Sequence, residues 1–513
     1  MKPLLYAMVC SVALVLSSPA ASTNVVLIVT DDQRWDTLAA MPTVQSELVG
    51  KGTTFPEAFV VNPLCCPSRA SIFTGRWSHS TGVWGVSGAH GGFHTFDDRS
   101  TIATWLDVAG YDTALLGKYL NRYDRREAPV TYVPPGWDRW FAFWNGGARS
   151  FDYLVSDDGT LRTFGSDPSE YATDVFAAKA VEFLRQTARP FFLYLAPAAP
   201  HVRSRYKAEP APRHVGAFAG VPPYASPSVN EQDVSDKPRY IRRTPKRAVG
   251  DLTSLRQSQL EALLAVDDAV ATILDELEAS GRLADTLIVL TSDNGYAWGE
   301  HRRAGKIAPY EESIRVPLVM RWDAGGLTSG EDRRLALNVD LAPTIADAVG
   351  IRAPGAEGRS LLSGFTRRGF LFEARQPGVN VPAYCAFRES WKYVQYTTGE
   401  EELYHLGRDP FELTNVARTH RPLVMSYRGR VRRSKCRPPG YDPLPLCSLT
   451  GTQRDDRIRG TWRPDWICAG GGDDTVRVVG GGRDVVRCGA GRDLVHADRR
   501  DAIKSTCERL RRS

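Results

Sequence analysis

The chain has 513 residues, of which 42% are apolar and 24% charged, a composition that excludes wholesale disorder. Its length exceeds what one small core can hold and predicts two to four structural units. The formal charge of +6 is uneven, because from residue 431 onward 18 Arg and Lys stand against 11 Asp and Glu, so the positive excess lies in the C-terminal tail.

The N-terminus has the pattern of a secretory signal. Lys2 precedes an apolar run over residues 4–16, and small residues follow over residues 17–22. The run is too short to span a bilayer, so we predict a signal peptide over residues 1–21 and no later transmembrane segment. The sequence therefore predicts a secreted, extracellular or cell-envelope protein, and the short signal favours a bacterial one.

Continuous apolar runs bounded by polar turns predict strands buried on both faces of a parallel sheet, at residues 25–29, 113–116, 191–196, 287–291 and 316–320. Helical patterns lie between them. The clearest covers residues 254–280, where Leu263, Ile273 and Leu277 share one face and Gly281 is suited to end the helix. This alternation predicts an α/β fold, a large mostly parallel sheet with helices on both faces.

Polar side chains follow four of these strands at the point where each ends. In chain order they are Asp31 and Asp32, Lys118, His201, and Asp293 and Asn294. In open α/β sheets, ligands bind outside the carboxyl ends of the strands. The sequence therefore predicts three carboxylates, an amide, a lysine and a histidine at one edge of one sheet. Singly, such residues are as typical of a turn, a helix cap or a solvated surface.

Two later regions depart from the alternation of strands and helices. Residues 202–250 are rich in Pro, Arg and Lys without periodicity, which indicates an insertion or loop over the site, where substrate choice is often made. Residues 360–420 carry short β-like runs, which predicts a smaller α+β subdomain.

The C-terminal part of the chain carries a glycine and aspartate repeat. Segments at residues 470–474, 480–484 and 489–493 recur every nine or ten residues, each followed by apolar residues. The pattern resembles the nonapeptide repeats of calcium-binding, hemolysin-type β-rolls. Because arginine intrudes at several repeat positions, we favour a short β-solenoid without metal over one with calcium. Late cysteines are interpreted as staples of this unit, their pairing left open: Cys436, Cys447, Cys468, Cys488 and Cys507.

Residues 65–69 read Cys-Cys-Pro-Ser-Arg, and residues 74–76 read Thr-Gly-Arg. Two adjacent thiols before a proline are by themselves compatible with a buried pair or with disulfide partners. The full motif resembles the signature of the sulfatase family, cysteine-x-proline-serine-arginine with threonine-glycine-arginine close behind. In that family a formylglycine-generating enzyme recognises the unfolded chain and oxidises the first cysteine, here Cys65, to formylglycine. The aldehyde hydrate is then the nucleophile on a sulfate ester.

The resemblance covers about residues 24–420 and implies an alkaline-phosphatase-like α/β fold. It implies a catalytic domain at residues 22–355 and a C-terminal sulfatase subdomain at residues 356–430, with a Cys-containing repeat tail at residues 431–513 outside the family. Many arylsulfatases have a histidine where this chain has Leu120. The N-acetylglucosamine-6-sulfatases, which the segment at residues 117–121 resembles, share that difference, so the resemblance favours a sulfated sugar as substrate.

Carried over residue by residue, the resemblance implies a metal site. Asp31, Asp32, Asp293 and Asn294 would hold one divalent cation, which would also bind a formylglycine oxygen at Cys65. Carboxylate and amide oxygens suit a hard ion, calcium first and magnesium second.

The resemblance also implies roles for basic side chains at the site. Arg69 would fix the formylglycine, Lys118 and Lys306 would contact sulfate oxygens, and His201 would protonate the leaving oxygen as general acid. The residue that assists the nucleophile in place of the missing histidine is left open, with His79 as one candidate.

The sequence thus predicts a secreted sulfatase acting on a sulfated carbohydrate, such as N-acetylglucosamine 6-sulfate, or on an aryl sulfate. The first alternative is a phosphonate or phosphate ester hydrolase, because relatives with the same fold and nucleophile process phosphoryl groups. The second is a non-catalytic surface-binding protein, if Cys65 is unconverted. We predict no nucleic-acid partner. The basic tail is compatible with polyanion or cell-surface contact, and equally with a solvated surface.

Overall fold

A computed structural model describes residues 23–512 apart from 145–148, 205–206, 440–446, 448, 462–464, 481 and 505. The predicted signal peptide at residues 1–21 lies outside the described residues. Within those described ranges, no helix combines the length and the apolar character that crossing a membrane requires.

The central element is a mixed sheet of ten strands. In sheet order these are Gly330–Glu331, Thr53–Thr54, Leu318–Arg321, Thr286–Ser292, Asn24–Thr30, Phe191–Ala196, Asp112–Gly117, Arg139–Phe143, Tyr153–Asp157 and Thr160–Phe164. The five predicted strands are all present. The four strands followed by predicted site residues are neighbours and pair in parallel.

The fifth predicted strand lies in the sheet but differs in direction from the parallel strand that its apolar run predicts. Leu318–Arg321 pairs antiparallel with Thr286–Ser292. At the far edge of the sheet, neighbouring strands also pair antiparallel with one another: Arg139–Phe143, Tyr153–Asp157 and Thr160–Phe164. An apolar run reports burial on both faces of a sheet, whereas direction depends on the connection. Here the chain returns without a long crossover helix, so the strand runs backwards.

Helices cover both faces of the sheet, as predicted. The longest, Val249–Ala279, packs with Ala172–Gln186 on one face, and Gly281 just beyond its end has φ 68°. The other face is covered by Cys65–Thr74, Ile102–Val108 and Leu341–Ala348. Short helical segments complete this part: Leu38–Ala40, Val44–Val49, Ser78–Thr81, Phe93–Thr95, Pro168–Glu170, Pro212–His214, Glu311–Ile314, Asn338–Asp340 and Leu361–Ser363.

The region at residues 202–250 is mostly irregular. It contains the paired strands Val202–Ser204 and Lys207–Ala208 and the short helix Arg239–Arg242. Two further strand pairs lie elsewhere in the large unit: Ala297–Trp298 with Ala304–Gly305, and Ala58–Phe59 with Ala336–Leu337.

A smaller α+β subdomain follows, also as predicted. Its antiparallel sheet comprises Phe370–Ala374, Tyr384–Arg388, Trp391–Tyr396 and Glu401–His405. The helix Arg421–Arg433 packs on this sheet, and the disulfide Cys385–Cys436 fastens the segment that follows the helix. Cys436 was expected to staple the tail, but it belongs to the subdomain. Cys385 lies in the strand Tyr384–Arg388, and no sequence motif marks it as the partner of Cys436.

The tail is a β-solenoid with two parallel sheets. One contains Leu449–Thr450, Trp466–Gly471, Val485–Ala490 and Ala502–Ile503, and the other contains Arg457–Arg459, Thr475–Val478, Leu494–Ala497 and Arg509–Arg512. The disulfides Cys447–Cys468 and Cys488–Cys507 lie within it. Each turn consumes two repeats, since Thr450 pairs with Cys468 and Val476 with Val495.

The repeat aspartates cap neighbouring turns of the solenoid. Asp474 accepts a hydrogen bond from the backbone amide of Asp456 at 2.8 Å, and Asp493 accepts one from Asp474 at 2.9 Å. Asp484 does the same for Asp465 at 2.7 Å. These carboxylates therefore satisfy backbone donors that adjacent turns would otherwise leave unpaired. A solenoid without metal stays a prediction.

Candidate active site

Strand register brings the two acidic segments together. Thr30 pairs with Ser292 across neighbouring parallel strands, so Asp31 and Asp32 emerge beside Asp293 and Asn294. The backbone amide of Asp32 donates to Asp293 Oδ1 at 3.3 Å, and Asn294 Nδ2 donates to Asp32 Oδ1 at 2.6 Å. The expected cluster at the carboxyl edge of the sheet is present, and all four side chains are buried.

Lys118 and His201 reach the same edge from the next two strands. Lys118 Nζ lies 2.5 Å from Asp31 Oδ2 and 3.8 Å from Asp293 Oδ2. His201 Nε2 lies 3.7 Å from Asp32 Oδ2, and the histidine side chain is 37% exposed. Lysine is thus enclosed by carboxylates, whereas the histidine stands at the boundary between the acidic cluster and solvent.

Cys65 begins the buried helix Cys65–Thr74. Pro67 lies in the first turn, where a missing N–H costs no helical hydrogen bond, and Gly75 ends the helix in the left-handed region with φ 68°. Helical spacing places Arg69 one turn after Cys65 on the same face. Arg69 Nε donates to Asp293 Oδ2 at 2.8 Å and Nη1 to the carbonyl of Lys118 at 3.0 Å.

Lys306 joins the cluster from a loop far along the chain. Its Nζ lies 2.8 Å from Cys65 Sγ and also contacts Asp32 Oδ1. The structure therefore brings together every residue that the sequence placed in the site: Asp31, Asp32, Cys65, Arg69, Lys118, His201, Asp293, Asn294 and Lys306.

His79, the candidate for assisting the nucleophile, and the neighbouring thiol Cys66 do not join this cluster. The ring of His79 hydrogen-bonds through Nδ1 to Glu373 Oε1 at 2.8 Å, in the sheet of the subdomain. Cys66 is a free thiol within the apolar core, where burial raises its pKa to about 12. Cys65 is also free, so the interpretation of the two thiols as disulfide partners is wrong.

The electrostatics of the site follow from burial and close opposite charges. Burial raises the pKa of the Cys65 thiol, and burial together with the charge of Asp31 raises that of Asp293. Burial alone would also raise the pKa of Asp31, but nearby cations, Lys118 foremost, hold it well below its usual range. The pKa of Lys306 lies well above its usual value because the carboxylates outweigh its burial.

Unpartnered oxygens at the site fit a hard cation. Asp31 Oδ1 and Asn294 Oδ1 are buried and accept no hydrogen bond from any residue that the structure describes. Ligand atoms of Asp31, Asp32, Cys65 and His201 lie within 4.8 Å of one another. Buried oxygens without donors are costly unless something else neutralises them, and carboxylate and amide oxygens are the ligands of Ca²⁺ and Mg²⁺.

A cavity of about 710 Å³ opens onto this cluster, lined by Asp31, Lys118 and His201 among others. Its wall also carries Arg122, Arg149 and Arg203, which sequence analysis missed. Each arginine follows a strand of the central sheet, so the rule that located the carboxylates applies to them as well. Arg122 and Arg203 pair with Glu127 and Glu209, whereas Arg149 forms no ion pair within the described part of the chain.

Comparison with known proteins agrees with this geometry. A family model described as sulfatase matches residues 23–351, and one described as the C-terminal part of N-sulphoglucosamine sulphohydrolase matches residues 299–433. The chain belongs to the sulfatase family. Its similarity to curated sulfatases in that family indicates that it is a sulfuric ester hydrolase.

Similarity to individual sulfatases is extensive. The chain is 32% identical over 517 residues to the N-acetylglucosamine-6-sulfatase of Homo sapiens, covering 85% of this chain and 91% of that protein. It is 31% identical over 476 residues to an arylsulfatase of Volvox carteri, covering 78% and 72%.

Solved structures confirm the fold. A protein bound to its substrate D-glucosamine-2-N,6-O-disulfate aligns with TM-score 0.69 and 22% identity, covering 82% of this chain and 99% of that one. The phosphonate monoester hydrolase of Agrobacterium radiobacter aligns with TM-score 0.62 and 21% identity, covering 80% and 95%. Both place the large sheet in the architecture expected from the sequence.

Proposed function

We propose that this sulfatase hydrolyses sulfate monoesters of a sulfated carbohydrate, using a formylglycine made from Cys65 and one divalent cation. The observation that carries the proposal is the position of Cys65. Its side chain lies 2.8 Å from Lys306 Nζ, beside a cluster of buried carboxylates with unpartnered oxygens. A side chain in this position lies beside the carboxylates that would bind a cation and beside the lysines that would bind an anionic ester.

The cation would be held by Asp31, Asp32, Asp293 and Asn294, together with an oxygen at position 65. When bound, it lowers the cost of gathering negative charge on the ester and on the nucleophile. The oxygen-only ligand set favours Ca²⁺, with Mg²⁺ as the second choice.

Conversion of Cys65 must precede folding. The side chain is only 3% exposed and begins a fully buried helix, so no enzyme could reach it in the native protein. This supports a formylglycine-generating enzyme as a partner that acts on the unfolded chain. The resulting hydrate offers a neutral nucleophile to an anionic ester, which an ionised thiol would not.

The remaining side chains would orient position 65, bind the sulfate group and protonate the leaving alcohol. Arg69 is fixed by Asp293 and orients position 65 from one turn away, while Lys118 and Lys306 offer ammonium groups to sulfate oxygens. His201 faces the cavity and is half-buried, which suits a general acid that protonates the leaving alcohol.

The cavity supports a charged sugar as substrate. Its arginines add positive charge beyond the reacting centre, and Arg149 forms no ion pair within the described residues, so it is free to meet a further anionic group. Three disulfides support an oxidising, extracellular location, together with the signal-like N-terminus.

Relative turnover of two chromogenic esters tests the proposal. We expect kcat/KM for a nitrophenyl sulfate to exceed that for a nitrophenyl phosphonate monoester at least tenfold. Both esters carry one negative charge, but the sulfate presents three terminal oxygens to Lys118, Lys306 and the cation, whereas the phosphonate presents two. A panel of sulfated monosaccharides and glycosaminoglycan fragments then identifies the sugar. Faster turnover of the phosphonate would instead favour the phosphonate hydrolase to which the fold is also similar.

Removing the tail should leave this activity intact. The helix Arg421–Arg433 and the disulfide at Cys436 belong to the subdomain, so we propose that the tail begins after Cys436. A chain ending at Pro439 should turn over nitrophenyl sulfate within about twofold of the full protein, since the cavity-lining residues all precede it.

A chain ending at Gly429 is the matched control for that truncation. It breaks the helix and leaves Cys385 without its partner, which should lower the free energy of unfolding by about 2–4 kcal/mol. Thermal unfolding and turnover of both chains make the comparison. Loss of soluble, active protein on ending the chain at Pro439 would show that the tail supports the catalytic unit.

A further inference from the structure

One sheet of the tail carries one aligned row of basic side chains and two further arginines at the ends of a second row. Residues Arg459, Arg477, His496 and Arg511 occupy equivalent positions on its four parallel strands. Two residues earlier on the same strands, Arg457 and Arg509 stand at the ends of a second row, with Thr475 and Leu494 between them. Adjacent strands are about 4.8 Å apart, so the basic side chains of the first row repeat at a short and regular interval.

Both rows face away from the core of the solenoid. On the first three strands the positions between the rows, Ile458, Val476 and Val495, pack into the interior, and successive side chains of a strand point to opposite faces. On the terminal strand Leu510 holds the equivalent position and is exposed. The arginines of the rows are exposed. We call this surface the arginine face, defined by Arg457, Arg459, Arg477, His496, Arg509 and Arg511.

The arginine face has no paired counter-charge among the described residues. Among the described residues, none of its arginine side chains forms an ion pair or a hydrogen bond. The neighbouring acids are engaged as caps, since Asp474 and Asp493 accept backbone amides of the turn before and Glu508 accepts that of Asp493. Like charges aligned across a sheet destabilise it unless a counter-charge binds.

We propose that the arginine face binds a sulfated polysaccharide chain and holds polymeric substrate to the enzyme. A regular row of guanidinium groups complements a polymer whose anionic groups also repeat, and guanidinium binds the oxygens of such groups in bidentate fashion. The choice of a sulfated chain as occupant rests on the proposed function. Binding itself is independent of turnover and can be measured whether or not the catalytic assignment holds.

The test uses full-length protein and heparin as the probe. The variant Arg459→Ala/Arg477→Ala/Arg511→Ala removes three charges from the face. Its matched control, Arg483→Ala/Arg487→Ala/Lys504→Ala, removes three charges around the opposite sheet, in or beside the strands Val485–Ala490 and Ala502–Ile503. Circular dichroism and thermal unfolding establish that both variants are folded.

We expect the face variant to bind heparin at least tenfold more weakly at moderate salt, while turnover of nitrophenyl sulfate is unchanged. The slope of log affinity against log salt should fall by about 2–3, as each lost ionic contact removes about one. The control should retain most of its affinity. An equal loss in the two variants, no loss in the face variant, or equally tight binding of single-stranded DNA by the wild type would overturn the proposal.

Discussion

Replacing Cys65 with alanine or serine should lower kcat for a nitrophenyl sulfate by at least about 10⁴-fold, the scale seen when a covalent nucleophile is removed. Alanine cannot become an aldehyde hydrate, and a serine that stays unoxidised carries a single hydroxyl. Neither therefore has the second hydroxyl through which a sulfated intermediate would release sulfate. Serine keeps nearly the size of cysteine, and the site around Lys306 and Arg69 should stay intact. Turnover measurements under saturating substrate make the comparison.

Cys66→Ala is the matched control for this prediction. Cys66 is the neighbouring thiol, but it lies in the apolar core and occupies the variable position of the motif, so conversion of Cys65 should proceed. The small cavity should cost about 1 kcal/mol of stability and leave kcat within a few-fold. Substantial turnover by Cys65→Ala, or equal loss in Cys65→Ala and Cys66→Ala, would contradict the assignment of the nucleophile.

Removing divalent cations should lower turnover at least about 100-fold, and adding Ca²⁺ should restore it. Three buried carboxylates at positions 31, 32 and 293 repel one another, and two oxygens of the cluster, Asp31 Oδ1 and Asn294 Oδ1, have no donor. A cation that binds only the folded protein also raises the unfolding temperature, by an amount that grows with the logarithm of its free concentration. Chelation followed by metal titration, read by both turnover and calorimetry, measures the two effects.

Asp31→Asn and Asp267→Asn separate the cation site from general loss of charge. Asp267 is another buried carboxylate, which accepts the backbone amides of Thr43 and Val44 and lies outside the site. Asp267→Asn should be less stable yet keep the full stabilisation by Ca²⁺, whereas Asp31→Asn should lose it. Ca²⁺ stabilisation of Asp31→Asn equal to that of the wild type would place the cation elsewhere.

Much of the site could be predicted because it depends on strand ends. Buried strands can be predicted from apolar runs in the sequence. In a parallel sheet, the residues that follow these runs all lie at the same edge. The pairing of Thr30 with Ser292 then fixes Asp31 and Asp32 beside Asp293. The same reasoning could have found Arg149, which follows the next strand along the sheet, but no motif drew attention to it.

Other features depend on contacts between distant parts of the chain. Lys306 meets Cys65 across 241 positions of sequence, from a loop whose next residue, Ile307, adopts φ 75°. No local pattern predicts such a loop. Likewise, Cys436 lies near the tail in sequence yet pairs with Cys385. The strand Leu318–Arg321 runs antiparallel to its neighbour because the connection between them lacks a long crossover helix, which the apolar run itself does not indicate.

The central claim is that residue 65 of the active enzyme is an aldehyde beside a cation-binding cluster. Mass spectrometry of the peptide containing this residue, taken from protein that turns over a sulfate ester, tests that claim most directly. We expect the mass of formylglycine at position 65 and of unmodified cysteine at position 66. A preparation with full activity whose residue 65 is still a thiol would contradict the account.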